Sequence, residues 1–125
     1  MDSRGNTQEV AWSEEELIQL RALADRINTT LEDGIAQFVK GDLDKCSEIY
    51  QVGLTEIRAM AKGEKFFTIL FKIDQLIVAL RSNRDASIDD TLVGLRKTLE
   101  FLKGHVNRLQ MSIVPSSSSS SSSSS

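Results

Sequence analysis

The chain has 125 residues, of which 40% are hydrophobic and only 6% aromatic, with one proline, one cysteine and a net charge of −3. With a polar start and a terminal serine run set aside, about 100 residues remain, enough for one domain with a real core. The acidic balance, without a dense Lys/Arg run, excludes nucleic acid as the expected partner. The charge is uneven: residues 1–50 carry five basic and eleven acidic side chains, residues 51–125 ten and seven. The abundance of Leu, Ile, Glu and Lys favours helices over sheets.

Residues 1–12 have no apolar run after a basic start, so they read as a flexible segment and not as a secretory signal. The lone cysteine forms no internal disulfide, which agrees with a reducing compartment. The expected location is cytoplasmic.

The first helix opens at Trp12-Ser13-Glu14-Glu15-Glu16. Ser13 is the cap, Glu16 the capping-box partner, and Trp12 a staple toward Leu17. Leu17, Leu20, Ala24, Ile27, Leu31, Gly34 and Phe38 then follow in steps of three and four, which predicts that they line one buried face. Gly41 supplies a left-handed helix end, and Asp42 is expected to cap the second helix through its carboxylate. So short a join makes the two helices antiparallel neighbours. The second helix places Leu43, Cys46, Tyr50, Gly53, Ile57 and Met60 inward and ends near Lys62-Gly63.

A third helix spans about Lys65 to Ser82. Its apolar run is broken by Lys72 and Asp74 and is shorter than the ~20 residues needed to cross a bilayer. It is apolar around most of its circumference and is expected to be the most buried. Its main core stripe is Phe66, Ile69, Ile73, Ile77 and Leu80, and a second stripe of Phe67, Phe71, Asp74, Val78 and Arg81 lies about 100° away. Either neighbouring elements cover that second stripe, or it is an exposed groove for a partner, with Asp74 and Arg81 setting orientation.

The fourth helix starts after Ser87, with Asp90 in the capping-box position. It repeats Ile88, Leu92, Leu95, Leu99, Leu102, Val106 and Leu109, the clearest periodicity in the chain. Phe101, His105 and Arg108 share a side away from this stripe, and that side is expected to contact a second chain or another protein. Titration of His105 would then modulate binding near neutral pH.

The predicted fold is all-α, an antiparallel up-down four-helix bundle over residues 13–114. Residues 115–125 are expected to form a disordered serine-rich tail or linker.

Chemistry is hard to find in this pattern. Cys46 has Asp42, Leu43, Ile49 and Tyr50 as helical neighbours, none of which would hold it as thiolate. One histidine and one cysteine do not complete a zinc site. The glycines sit singly and form no phosphate-binding loop. No catalytic, metal or cofactor residue is predicted.

From Gly34 to Leu54 the chain resembles the helix-turn-helix centre of a tetratricopeptide repeat. Gly34, Ala36 and Phe38 lie on the first helix, Gly41-Asp42 at the turn, and Cys46 and Tyr50 stand where the repeat has a small residue and an aromatic. One period further on, Thr68 replaces the glycine, so the likeness covers a single hairpin. The segment is also similar to helical proteins with a G-x-x-x-F-N-x-G-D-x-x-x-C-x-x-I-Y run, with Val39 at the Asn position. The first resemblance implies a module that binds other proteins, with Gly34 and Gly53 letting the hairpin close and Tyr50 filling the join. The expected function is therefore a non-enzymatic interaction or assembly module acting on a protein partner or on itself. The alternative is a bundle that holds an apolar small molecule in a core loosened by Gly34 and Gly53.

Overall fold

A computed structural model describes residues 12–113. The expectations for the N-terminal segment before Trp12 and for the serine-rich tail lie outside the described residues. Four helices follow one another: α1 (Glu14–Lys40), α2 (Leu43–Met60), α3 (Phe67–Ser82) and α4 (Ile88–Ser112), with a single 3-10 turn, Glu64–Phe66, leading into α3.

The boundaries have local causes. At the start of α1 the Ser13 backbone N–H donates to Glu16 Oε1 at 2.9 Å. That bond, and then Lys65, hold the Glu16 carboxyl below the usual carboxylate range. At the end of α1, Gly41 adopts φ 90°, a left-handed geometry that glycine enters without Cβ strain, and its N–H reaches back to the Phe38 carbonyl at 3.0 Å. Asp42 occupies the cap position of α2, but its side chain makes no capping bond. Its backbone carbonyl accepts from the Cys46 N–H at 2.9 Å instead. Ser87 likewise precedes α4 without a side-chain cap bond.

The α1–α2 hairpin is the tightest contact of the fold, and two glycines explain it. A Cβ at Gly34 would overlap the ring of Tyr50, and one at Gly53 would overlap Thr30. Each helix thus offers a notch that a side chain of the other fills. Gly34 and Gly53 let the two backbones close up, and no slack is left beside either of them in the hairpin. Leu23 and Thr30 join Leu20, Ile27, Leu31 and Gly34 on the buried face of α1, whereas Phe38 is 49% exposed and leaves the predicted stripe.

Helix α4 runs antiparallel to α1 and packs on both α1 and α2, burying Leu92, Leu95, Leu99, Leu102 and Val106 as the periodicity predicts. The three long helices make the centre. Helix α3 lies to one side, against α4 and part of α2, without approaching α1. It buries three residues, Ile69, Ile73 and Leu76, where α1 and α2 bury six each. The expectation that α3 is the most buried helix is therefore reversed. Its foot is pinned: Phe66 is buried, Trp12 meets it edge on with centroids 6.0 Å apart, and Lys65 Nζ bonds Glu16 Oε1 at 3.1 Å. Its other end stands off. Leu76 takes the core place predicted for Ile77, and Leu80 is only half-buried.

Candidate functional site

Among the described residues nothing covers the apolar members of the second stripe of α3. Phe67 is 65% exposed, Phe71 49% and Val78 62%, and the two phenylalanine rings stack with centroids 6.0 Å apart. The cause is geometric: on a 3.6-residue helix these positions lie nearly opposite Ile69, Ile73 and Leu76, which α2 and α4 cover. Among the described residues, neither α2, α4 nor Trp12 reaches round to the outer side. Asp74 on the same stripe is turned to α2, where Arg58 Nη2 lies 3.6 Å from its Oδ1. Both partners are more than half exposed, so this pair contributes little to stability. Arg81 has no ion-pair partner among the described residues.

The second predicted group, on α4, lies apart from the first. Phe101 and His105 stack nearly parallel with centroids 6.1 Å apart, and Lys72 of α3 places its ammonium 4.5 Å from the centre of the Phe101 ring. These two residues thus belong to the α3–α4 seam. His105 does not face outward as expected: it is half-buried, and its Nε2 is covered without a hydrogen-bond partner among the described residues. Arg108 is exposed one helical step further on. The role of Lys72 was missed because its place on the polar stripe of α3 does not reveal that this stripe borders an aromatic ring.

Burial, and then the nearby Arg108, hold the His105 pKa below its ordinary value. The folded protein therefore keeps His105 neutral while the unfolded chain takes up a proton near the ordinary pKa of 6.5. This contribution to stability is complete above that value and is lost as pH falls below it. The urea midpoint is expected to drop between pH 7.5 and 5.5, and His105→Gln should remove part of that slope. An unchanged slope in the variant would show that other groups carry it.

Cys46 and Tyr50 are buried side by side in the hairpin. Burial pushes the Cys46 thiol up, and burial followed by Cys46 pushes the Tyr50 hydroxyl up to about 12. Both are protonated at neutral pH and pack as apolar mass. Among the described residues no three His, Cys, Asp or Glu side chains cluster to hold a metal ion, and no helix is long and apolar enough to cross a membrane.

One feature was not legible at all. Where the C-terminal half of α3 stands off, a cavity of about 260 Å³ opens between α2, α3 and α4, walled by Leu54, Ile73, Leu76, Ile77, Leu80 and Leu95. Gln51, Thr55 and Arg81 are its polar residues. The groove between α1 and α4 is larger, about 580 Å³, but carries charges of both signs from Glu32, Glu100 and Lys103.

These features define an all-α protein with four helices, a dense three-helix centre and one peripheral helix with an apolar outer face. No family model matches the chain, and no curated protein or solved structure matches it.

Proposed function

We propose that this chain is a non-enzymatic helical module that makes protein contacts, in a larger assembly or as a homodimer, through the outer face of α3. The observation that carries this reading is the stacked, exposed pair Phe67 and Phe71, continued by Val78 on a helix whose opposite side is already packed. Exposed aromatic anchors grouped on one helix face favour association, because a partner that covers them expels water from apolar surface. Asp74, paired with Arg58 of α2, and Arg81, at the mouth of the cavity between α2, α3 and α4, stand at the edges of this face, so its apolar side chains carry the contact. Arg108 and the exposed edge of Phe101 form a second, smaller contact.

The likeness of residues 34–54 to a tetratricopeptide hairpin belongs to the same proposal. Its support is the mutual fit of Gly34 with Tyr50 across a short antiparallel join. A reducing, cytoplasmic setting suits the single buried thiol.

The test is the double variant Phe67→Ser/Phe71→Ser. Both side chains lie outside the core, so its far-ultraviolet circular dichroism should match the parent. Association, measured as concentration-dependent mass or as retention of a co-purifying protein, should weaken at least about tenfold. Collapse of the helical spectrum would make these residues structural, and unchanged association would place the contact elsewhere.

A further inference from the structure

The cavity beside α3 has the composition of a ligand site. We infer that the space between α2, α3 and α4 binds a small amphipathic anion, an aliphatic carboxylate with a tail of about six to ten carbons. The tail length follows from volume. The cavity of about 260 Å³ exceeds the ~150 Å³ that accommodates a benzene ring and falls just below the ~300 Å³ at which drug-sized sites begin.

Two observations point to an apolar tail. All six wall residues are Leu or Ile. Two of them, Ile77 and Leu80, continue the apolar repeat of Ile69 and Ile73, yet Ile77 remains 38% exposed and Leu80 half-buried. The bundle therefore offers apolar surface here that its own side chains do not fill, and a bound chain would complete the burial.

The polar residues select the head group. None of the residues lining the cavity is acidic, and Arg81 brings a guanidinium with no ion-pair partner among the described residues. The Thr55 hydroxyl donates to the Gln51 carbonyl at 3.0 Å, while Gln51 Nε2 gives one hydrogen to Ser47 Oγ at 3.0 Å and keeps a second. The polar side is thus positive, with the Arg81 guanidinium and one Gln51 hydrogen as its donors. A carboxylate would receive a charge-assisted, bidentate bond from Arg81 that an alcohol or an amine would not.

Octanoate, 1-octanol and acetate are suitable probes for calorimetric titration and methyl NMR on the full chain. Octanoate should bind once per chain, at least about tenfold more tightly than 1-octanol, and acetate should not bind measurably. Octanoate should shift the methyl signals of Leu54, Ile73, Leu76 and Leu95. Arg81→Gln, an exposed position that leaves the fold intact, should abolish the preference for octanoate while 1-octanol binds as before. Leu76→Phe should fill the cavity and remove both; if it fails to fold, Leu80→Phe at the half-buried wall serves instead. Equal affinities for octanoate and 1-octanol, a preference that survives Arg81→Gln, or methyl shifts centred on Val78 of the outer face would each overturn the inference. So would perturbation of the cavity methyls by raised protein concentration alone with no effect of octanoate, which would assign the cavity to a partner's side chain. Because the titration reads the inner wall of α3 and the Phe67/Phe71 variant its outer face, either proposal can fail without the other.

Discussion

Replacing Gly34 with alanine is expected to destabilise the protein by about 2 kcal/mol, although alanine is the better helix former by about 1 kcal/mol. The sign is decided by space. The added Cβ would overlap the edge of the Tyr50 ring, a side chain only 2% exposed and held in the core between helices. Relief requires α1 and α2 to move apart or the ring to leave its place, and either opens gaps elsewhere in a closely packed interior. Gly53→Ala should behave alike against Thr30. Gly104 is the control: nothing lies within 4 Å of a Cβ there, so Gly104→Ala should stabilise by about 0.5–1 kcal/mol. Urea unfolding of the three variants checks all three signs. In the double variant Gly34→Ala/Tyr50→Leu the smaller side chain makes room for the methyl, so the combined cost should be less than the sum. Additive costs would mean that the two residues do not share the contact.

This pair also shows what the chain's pattern discloses and what it hides. The ends of α1 and the stripe of α4 were legible because each has a local cause: the Ser13–Glu16 box, the left-handed Gly41, and a leucine repeat with one apolar side. The face of α1 was legible only in part. The buried face centres on Leu20, Ile27 and Gly34 with Leu23 and Thr30 beside them, so a stripe begun at Leu17 starts to one side of it. Phe38 lies about five whole turns beyond Leu20 and faces the same way, but it stands in the last turn of α1, past Gly34, the last buried residue of that helix. Helix α3 was misread for another reason. Being apolar nearly all round, it gave no single direction, and hydrophobicity alone favoured a central place. The centre was taken by α1, α2 and α4, which are longer and, through Gly34 and Gly53, closer together. The Phe67/Phe71 stripe was visible as a period, but its exposure depended on which helices reached it. The cavity was invisible because it lies where side chains of three separate helices fail to fill the space between them, which no local pattern discloses.

The amides of α3 are expected to exchange with solvent at least about tenfold faster than those at the centres of α1, α2 and α4, in native-state hydrogen exchange read by NMR. Local opening requires the loss of only those contacts that the opening segment makes. For α3 these are three buried side chains facing two helices, whereas α4 would have to give up five and separate from every other helix. Protection should also fall along α3. Phe66, the Trp12 ring and the Lys65–Glu16 bond hold its foot, while beyond Leu76 the half-buried Leu80 and the cavity offer little resistance. The residues from Ile77 to Ser82 should therefore exchange first and those around Ile69 last. This gradient links stability to both proposals, since the least anchored helix carries a candidate contact face on its outside and a candidate cavity wall on its inside. Octanoate should raise protection most at the C-terminal turns of α3, and a partner on Phe67 and Phe71 most near its foot. Uniform protection equal to that of α4 would show that α3 opens only with the whole bundle, and the account of it as a peripheral, separately yielding helix would fail.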